Sequence, residues 1–332
     1  MSDTYHVPAE HDAHELTFMQ WPNDRAVYDD PVFLREVQQT IARIARTISD
    51  FEPVIMLAGK QHHKQIKRMT KGAVEIWDIP TDDLWARDSG PIFARNDQGA
   101  LAVQNIQFNG WGGKQATPND RLIASRIAQE LDIPLNPTGL IGEGGSTEHD
   151  GADYLMAHQS SWKNDNRNPD MPLEEMEARL LKAYGAKKIV WGVGVWDLDI
   201  TDYHIDSLAR FTAPRQVLIN LPEEPDFHDP FHQAALDTFD ILKRSGLEVE
   251  VIPEPNFRRV KAYDFVASYA NYYVCNGAVI VAQFGDERTD EIAANALKQH
   301  YPGRKIVTLN ADALGELGGG IHCATQQMPA ST

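Results

Sequence analysis

Two cysteines in 332 residues build no disulfide framework, so a reducing cytoplasm is the expected compartment. No C-x-x-C or C-x-x-H pair marks a metal site, and the adjacent His62 and His63 read as a solvated pair. No apolar run approaches the roughly 18 residues that a membrane span needs. The opening MSDTYHVPAEHDAHELT is polar and acidic, without the basic and apolar regions of a secretory leader. Lys and Arg number 31 against 48 Asp and Glu, for a net charge of −17. Basic residues this sparse and scattered leave no footprint for nucleic acid. What remains is 42% hydrophobic, enough for a sizeable core. The acid excess has two readings, plain solubility or steering of a small cationic substrate.

The apolar residues fall into a repeating order. Helical spacing recurs over 31–50, 120–133, 173–186, 232–246 and 290–303. Each helix is followed by a short strand-like run: PVIMLAG, IPLNPTG, KKIVWGVG, LEVEVIP and RKIVTLN. Hairpin-like pairs fill the gaps, and in three of them the turn carries Asp-Gln-Gly, Asp-Gly or Asn-Gly, the residues that tight turns favour. The order hairpin, helix, strand therefore repeats about five times. The fifth hairpin is split: HELTFMQWP near the start pairs with the GGGIHCATQQ region near the end. That pairing closes a ring, a better fit than a doubly wound sheet, which has no need of four hairpins.

Four polar segments sit at matching places in these units: LWARDSGPIF, IGEGGSTEHDG, ITDYHIDSLARF and GGGIHCATQQ. Their chemistry-bearing members are Asp88, Glu143, His204 with Asp206, and Cys323. The gaps are 55 residues from Asp88 to Glu143, 61 to His204, and 119, two units, to Cys323. Each falls where a hairpin strand begins, so in a ring all point toward one axis and one pocket. Cys323 follows Gly318, Gly319 and Gly320, a run that lets a ligand approach a thiolate, the strongest ordinary nucleophile near neutral pH. Cys275, inside YYVCNGAVIV, reads as core. His204 and Asp206, two apart on a strand, face the same way and supply a proton carrier with a carboxylate. His322 points to the opposite face from Cys323 and is not the base. Arg87 faces away from Asp88 by the same strand argument, and Asp150 before Gly151 is a turn residue. Up to three carboxylates in one empty pocket repel one another. The ligand that relieves them best is a guanidinium, planar, always charged and able to meet carboxylate oxygens in pairs.

WARDSGP, EGGSTEHDG, HID and GGGIHCATQQ, with NGWGGK (Asn109 to Lys114) and VPAEHDAHELTFMQWP, together resemble the agmatine deiminases and the related bacterial, Porphyromonas-type peptidyl-arginine deiminases. The likeness runs over nearly the whole chain in the right order. It implies one catalytic domain over 1–332 with the pentein fold, a five-bladed, pseudo-fivefold α/β propeller. It implies a guanidine hydrolase that converts agmatine to N-carbamoylputrescine and ammonia, a step toward putrescine. Cys323 matches the nucleophile, forming an amidino-thioether with loss of ammonia. His204 matches the proton carrier for ammonia and then for water. Asp88 and Asp206 match the guanidinium ligands, and Glu143 holds the guanidinium or His204. Trp85, Trp111 and Gly320 are candidates for the substrate wall; for the two tryptophans, core packing is the competing assignment. The resemblance implies no metal and no organic cofactor, no nucleic-acid or membrane partner, and a homodimer or larger assembly.

The chain departs from the agmatine pattern at Tyr203, where glycine is usual, at Gly320 to Ile321, where an asparagine often intervenes, and in STEHDG. These changes bear on the substrate's tail and leave free arginine or peptidyl-arginine as alternatives. An amidinotransferase, a non-catalytic pentein-fold binding protein and a thiol hydrolase acting on amides are the other classes. The last is opposed by carboxylates where an oxyanion hole needs donors.

Overall fold

The structure, a computed structural model, describes residues 4–262 and 264–331. Among these residues the strands fall into five separate sheets rather than one. Each sheet has the same core: an antiparallel hairpin, then a third strand parallel to the hairpin's second, reached through a helix. The first unit joins Ile92–Asn96, Leu101–Gln107 and Leu135–Ile141. The second joins Thr147–His149, Tyr154–His158 and Lys188–Gly192. The third joins Ala209–Ala213, Gln216–Leu221 and Glu248–Pro253, and the fourth Tyr273–Cys275, Ala278–Ala282 and Lys305–Leu309. In the fifth, Gln326–Pro329 pairs antiparallel with His14–Gln20, which runs parallel to Val54–Ala58. The split hairpin expected from the sequence is therefore present. Two short strands extend the pattern: Tyr5–His6 edges the first unit and Glu75–Asp78 the fifth.

The crossover helices are Pro31–Ser49, Ile123–Glu130, Leu173–Tyr184, Pro230–Arg244 and Glu287–His300. Their ends follow from local chemistry. Asp30 and Asp229 cap the two that begin with proline, each accepting from the second backbone N–H, and Asp286 caps the last. Leu173–Tyr184 stops at Gly185, whose φ of 72° is the left-handed cap that glycine takes without strain. The apolar faces bury Val37, Ile41 and Ile44 on the first helix and Met176 and Leu180 on the third. Each such side chain removed from water contributes about 1.5–3 kcal/mol. No described helix is long and apolar enough to cross a membrane.

What positions the site is the piece of backbone just before each hairpin. One helical turn, Ala86–Ser89, precedes the first hairpin. Gly144–Ser146 and Ile205–Ser207 are single 3₁₀ turns before the second and third. A turn over 321–324 precedes Gln326–Pro329. The expectation that these residues lie on strands is corrected here. A turn ahead of a strand projects its polar side chains beyond the sheet's edge, where a strand residue would have to lie against a sheet face.

Candidate active site

Asp88, His204 and Cys323 line one cavity of about 580 Å³, with Trp85, Trp111, Tyr203, Leu317, Gly318 and Gly319 in its wall. The tightest geometry surrounds Gly145. A β-carbon built there would stand 2.7 Å from Asp88 Oδ1, 2.9 Å from His204 Nδ1 and 3.1 Å from Asp206 Oδ2. Three functional atoms from two units thus converge on a glycine of a third, and only glycine leaves room for them. Cys323 Sγ lies 3.4 Å from the same Asp206 oxygen.

Each member is held from behind. Asp88 Oδ2 accepts the Trp111 indole N–H at 2.9 Å and Oδ1 the Gly145 N–H at 3.1 Å. Trp111 is thereby both core and wall: buried, edge-on to Phe108 at 4.9 Å, and donating into the site. Trp85 is half-buried, and its ring fills the space beside Gly319. Glu143 is fully buried and does not line the cavity. Its Oε2 is 3.2 Å from His204 Nε2, and both its oxygens accept from Arg167 Nε at 2.9 and 3.0 Å. Of the two roles expected for Glu143, the geometry matches holding His204. Arg167 continues to Asp202 at 2.7 Å, where Lys114 of NGWGGK also pairs at 2.8 Å.

Gly320 is corrected. It is absent from the cavity wall, and its open side faces Asn271, whose Oδ1 lies 2.4 Å from where a β-carbon would be. The glycines facing the cavity are Gly318 and Gly319. Asn271 is the residue that the sequence reading missed. Its Nδ2 donates to Cys323 Sγ at 3.1 Å and its Oδ1 accepts the Cys323 N–H at 3.3 Å. It stands two residues before the fourth hairpin. The series Asp88, Glu143, Asp206, Asn271, Cys323, at 55, 63, 65 and 52 residues, puts one polar residue ahead of each hairpin. The two-unit gap before Cys323 was the signal.

Other assignments stand or change as follows. Cys275 is fully buried on its strand. Arg87 does face away from Asp88, bonding Gln327 at 2.8 Å, and Asp150 caps its own turn through Ala152 and Tyr154 N–H groups. His322 meets Asp206, Nδ1 to Oδ2, at 2.8 Å. Tyr203 keeps a left-handed φ of 66°, the conformation a glycine would take freely. It stacks on His158 with centroids 4.8 Å apart.

The electrostatics follow from burial and partners. Burial alone would lower the pKa of His204, but Asp88, Glu143 and Asp206 outweigh it and lift the imidazole to about 9. Burial lifts Asp88 to about 6, with Asp206 and Glu143 adding and His204 opposing. For Glu143 and Asp206 burial is outweighed, by Arg167 and His204 in one case and by His322 in the other, and both fall below the usual range. Burial, then Asp206 and Asp88, push the Cys323 thiol well up, against the Gly320 N–H and Asn271. A buried thiol, a charged imidazole and carboxylates of different proton affinity are the parts of an acid-base site suited to a cation.

The family model for the Porphyromonas-type peptidyl-arginine deiminases matches residues 6–329. The chain belongs to this family. Its members here are hydrolases of carbon–nitrogen bonds. A Legionella pneumophila relative, provisionally named agmatine deiminase, is 32% identical over 336 residues, covering 98% of this chain and 95% of the relative. Agmatine deiminase of Enterococcus faecalis superposes with a TM-score of 0.90 at 28% identity, over 99% of this chain and 97% of that one. C. jejuni agmatine deiminase carrying a cysteine-to-serine change, with substrate bound, gives 0.87 at 26%, over 98% and 97%. The mixed α/β fold of this family member is that of the agmatine deiminases.

Proposed function

We propose that the chain is an agmatine deiminase acting through a covalent Cys323 intermediate. The observation that carries this reading is the convergence of Asp88, His204 and Asp206 around Gly145, beside the Cys323 sulfur. A guanidinium bridging Asp88 and Asp206 presents its electron-poor carbon to sulfur. Its charge also opposes the carboxylates that hold the thiol's proton on, so binding helps release that proton to solvent. The thiolate then adds to the carbon. The C–N bond to one terminal nitrogen breaks as protonated His204 donates to it, releasing ammonia and leaving an amidino-thioether. Neutral His204 next takes a proton from water as the oxygen adds. The C–S bond breaks as the hydroxyl proton leaves to solvent, returning the thiolate and a neutral ureido product. Glu143 keeps His204 oriented throughout, and Asn271 steadies the sulfur.

Agmatine is favoured over free arginine by the rest of the cavity wall. It carries Asp199, Glu223, Glu224, Asp229, Glu254 and Asp264 against Arg258 and His232. Burial, then Asp229, push Glu254 up to about 7, a sign of negative charge that no neighbour fully balances. An amine tail relieves it, whereas a carboxylate tail would add to it. A peptidyl tail is the second reading, because the cavity has volume to spare and Leu198, in its wall, is 59% exposed. We extend the proposal to architecture: the five sheets are blades of one closed propeller spanning 1–332, a view supported by the pairing of Gln326–Pro329 with His14–Gln20.

The test is parallel incubation with agmatine, free arginine and an N-acylated arginine amide, assaying ammonia and ureido product, with Cys323→Ala as control. Agmatine is expected to give both products and the variant neither. Turnover of another of the three instead would overturn the tail assignment, and full activity in the variant would overturn the covalent route.

A further inference from the structure

The mechanism above leaves a second buried cluster unused. Glu10, from the segment between Tyr5–His6 and His14–Gln20, sends its carboxylate to partners in four of the five units. Its Oε2 meets Arg210 at 2.7 Å, His322 Nε2 at 2.8 Å and Arg87 at 3.4 Å. Its Oε1 accepts the Val274 N–H at 2.9 Å. Glu148, from the remaining unit, joins through Arg210 Nε at 2.7 Å. These side chains line a separate cavity of about 30 Å³ and not the large one, and the large one's wall includes none of them. Burial opposes ionisation of Glu10, but Arg210, His322 and Arg87 outweigh it and hold its carboxyl well below the usual range.

His322 joins the two regions. One ring nitrogen faces Glu10 Oε2 and the other Asp206 Oδ2, each at 2.8 Å. An imidazole donates to two carboxylates at once only when both nitrogens carry protons. The Asp206 oxygen it reaches is the same one that lies 3.4 Å from Cys323 Sγ. A chain of contacts thus runs from Glu10 through His322 and Asp206 to the sulfur. A purely structural ion cluster would have no need to end on that oxygen.

We propose that Glu10, acting through His322, is a positioning residue that keeps the Asp206 carboxylate aimed at the place where the substrate guanidinium binds. The inference rests on the guanidine-deiminase reading given above. The groups that face Asp206 are His322, Cys323, His204, Arg210 and Asp88. Of these groups His322 makes the shortest hydrogen bond to its carboxylate, at 2.8 Å against 3.4 Å for the thiol. Losing the Glu10 charge removes the anion that holds the ring at Nε2. Losing the ring's Nδ1–H leaves Asp206 buried against the thiol with Asp88 nearby. Either change weakens the grip on a cation while leaving the cavity wall intact.

The experiment compares alkylation of Cys323 in the full chain by chloroacetamidine, a cation shaped like the guanidinium head, and by neutral iodoacetamide. Each rate is normalised to glutathione. Glu10→Gln keeps the shape and the Val274 bond but removes the charge. His322→Gln sets an amide where Nε2 stood and loses the donor to Asp206, whereas His322→Asn retains a donor near Nδ1. Wild type is expected to prefer the amidinium. Glu10→Gln and His322→Gln lower that preference about tenfold, the scale of one charge-assisted hydrogen bond, and His322→Asn recovers part of it. An unchanged preference in Glu10→Gln and His322→Gln overturns the proposal, whatever happens to their melting temperatures. If Glu10→Gln does not fold, the two His322 variants decide between these results. No amidinium preference in wild type would instead sink the guanidine reading, and this inference with it.

Discussion

The two buried charge clusters use the same residue types to opposite ends. Around Glu10, three carboxylate-to-arginine contacts and one imidazole hold the Glu10 carboxyl well below its usual range, while burial, against Arg210, lifts its neighbour Glu148. Around Gly145, burial lifts Asp88 to about 6 against the pull of His204, and burial, then Asp206 and Asp88, push the thiol up. One cluster lines a cavity of about 30 Å³ and the other opens on one of about 580 Å³. Burial of charge therefore does not by itself mark a site; unmatched burial beside an open volume does.

The comparison breaks most sharply at Asp88. Asp88→Asn is expected to lower kcat/KM for the guanidine substrate about 1,000-fold, as for loss of one preorganised electrostatic contact. Its effect on stability has the opposite sign. A carboxyl lifted to about 6 in the folded chain costs stability once pH rises through that value. The variant's melting temperature at pH 8 should thus equal or exceed wild type, and a large drop would remove the contrast. Arg210→Leu is the mirror experiment. It leaves Glu10 and Glu148 without their shared cation, and about 3–5 kcal/mol of stability is expected to go, read from a denaturant midpoint. A loss under 1 kcal/mol would mean that the rear cluster is no better balanced than the front.

The pH dependence sharpens the same point. In the proposed mechanism Asp88 is ionised to grip the guanidinium and His204 is protonated to expel ammonia. The profile of kcat/KM should rise through about 6 and fall through about 9. In Asp88→Asn the acid limb should move, and an unmoved limb assigns it elsewhere. The smallest effect belongs to Trp111→Phe, which deletes the 2.9 Å donor to Asp88. KM should rise about tenfold with kcat little changed, the scale of one hydrogen bond to a charged group.

Much of the fold and most of the site were legible because two signals coincided. The hairpin, helix and strand periods set five units, and Asp88, Glu143, His204, Asp206 and Cys323 are residue types whose chemistry makes them conspicuous beside glycines. Asn271 escaped because an amide does not titrate and ASYANYYVCNG reads as an ordinary lead into a strand. Gly320 was misassigned because a missing side chain beside a nucleophile has two uses. Here the room it leaves serves Asn271 rather than a ligand. His204 and Asp206 do meet at one point, though on a turn rather than on the expected strand. Arg167, 24 residues from Glu143, and the partners of Glu10 were beyond reach, since an ion pair between distant residues leaves no local pattern to read.

The Glu10 contacts carry a last consequence, for the order in which the molecule assembles. Its partners lie 77, 200, 264 and 312 residues away along the chain. Contacts of such separation close large loops and form late, after the local hairpins and helices have settled. If Glu10 sets Asp206 through His322, a refolding chain regains its backbone signal before it regains the power to bind a cation beside Cys323. Circular dichroism would then run ahead of amidine labelling, and the interval between them would time the docking of one carboxylate.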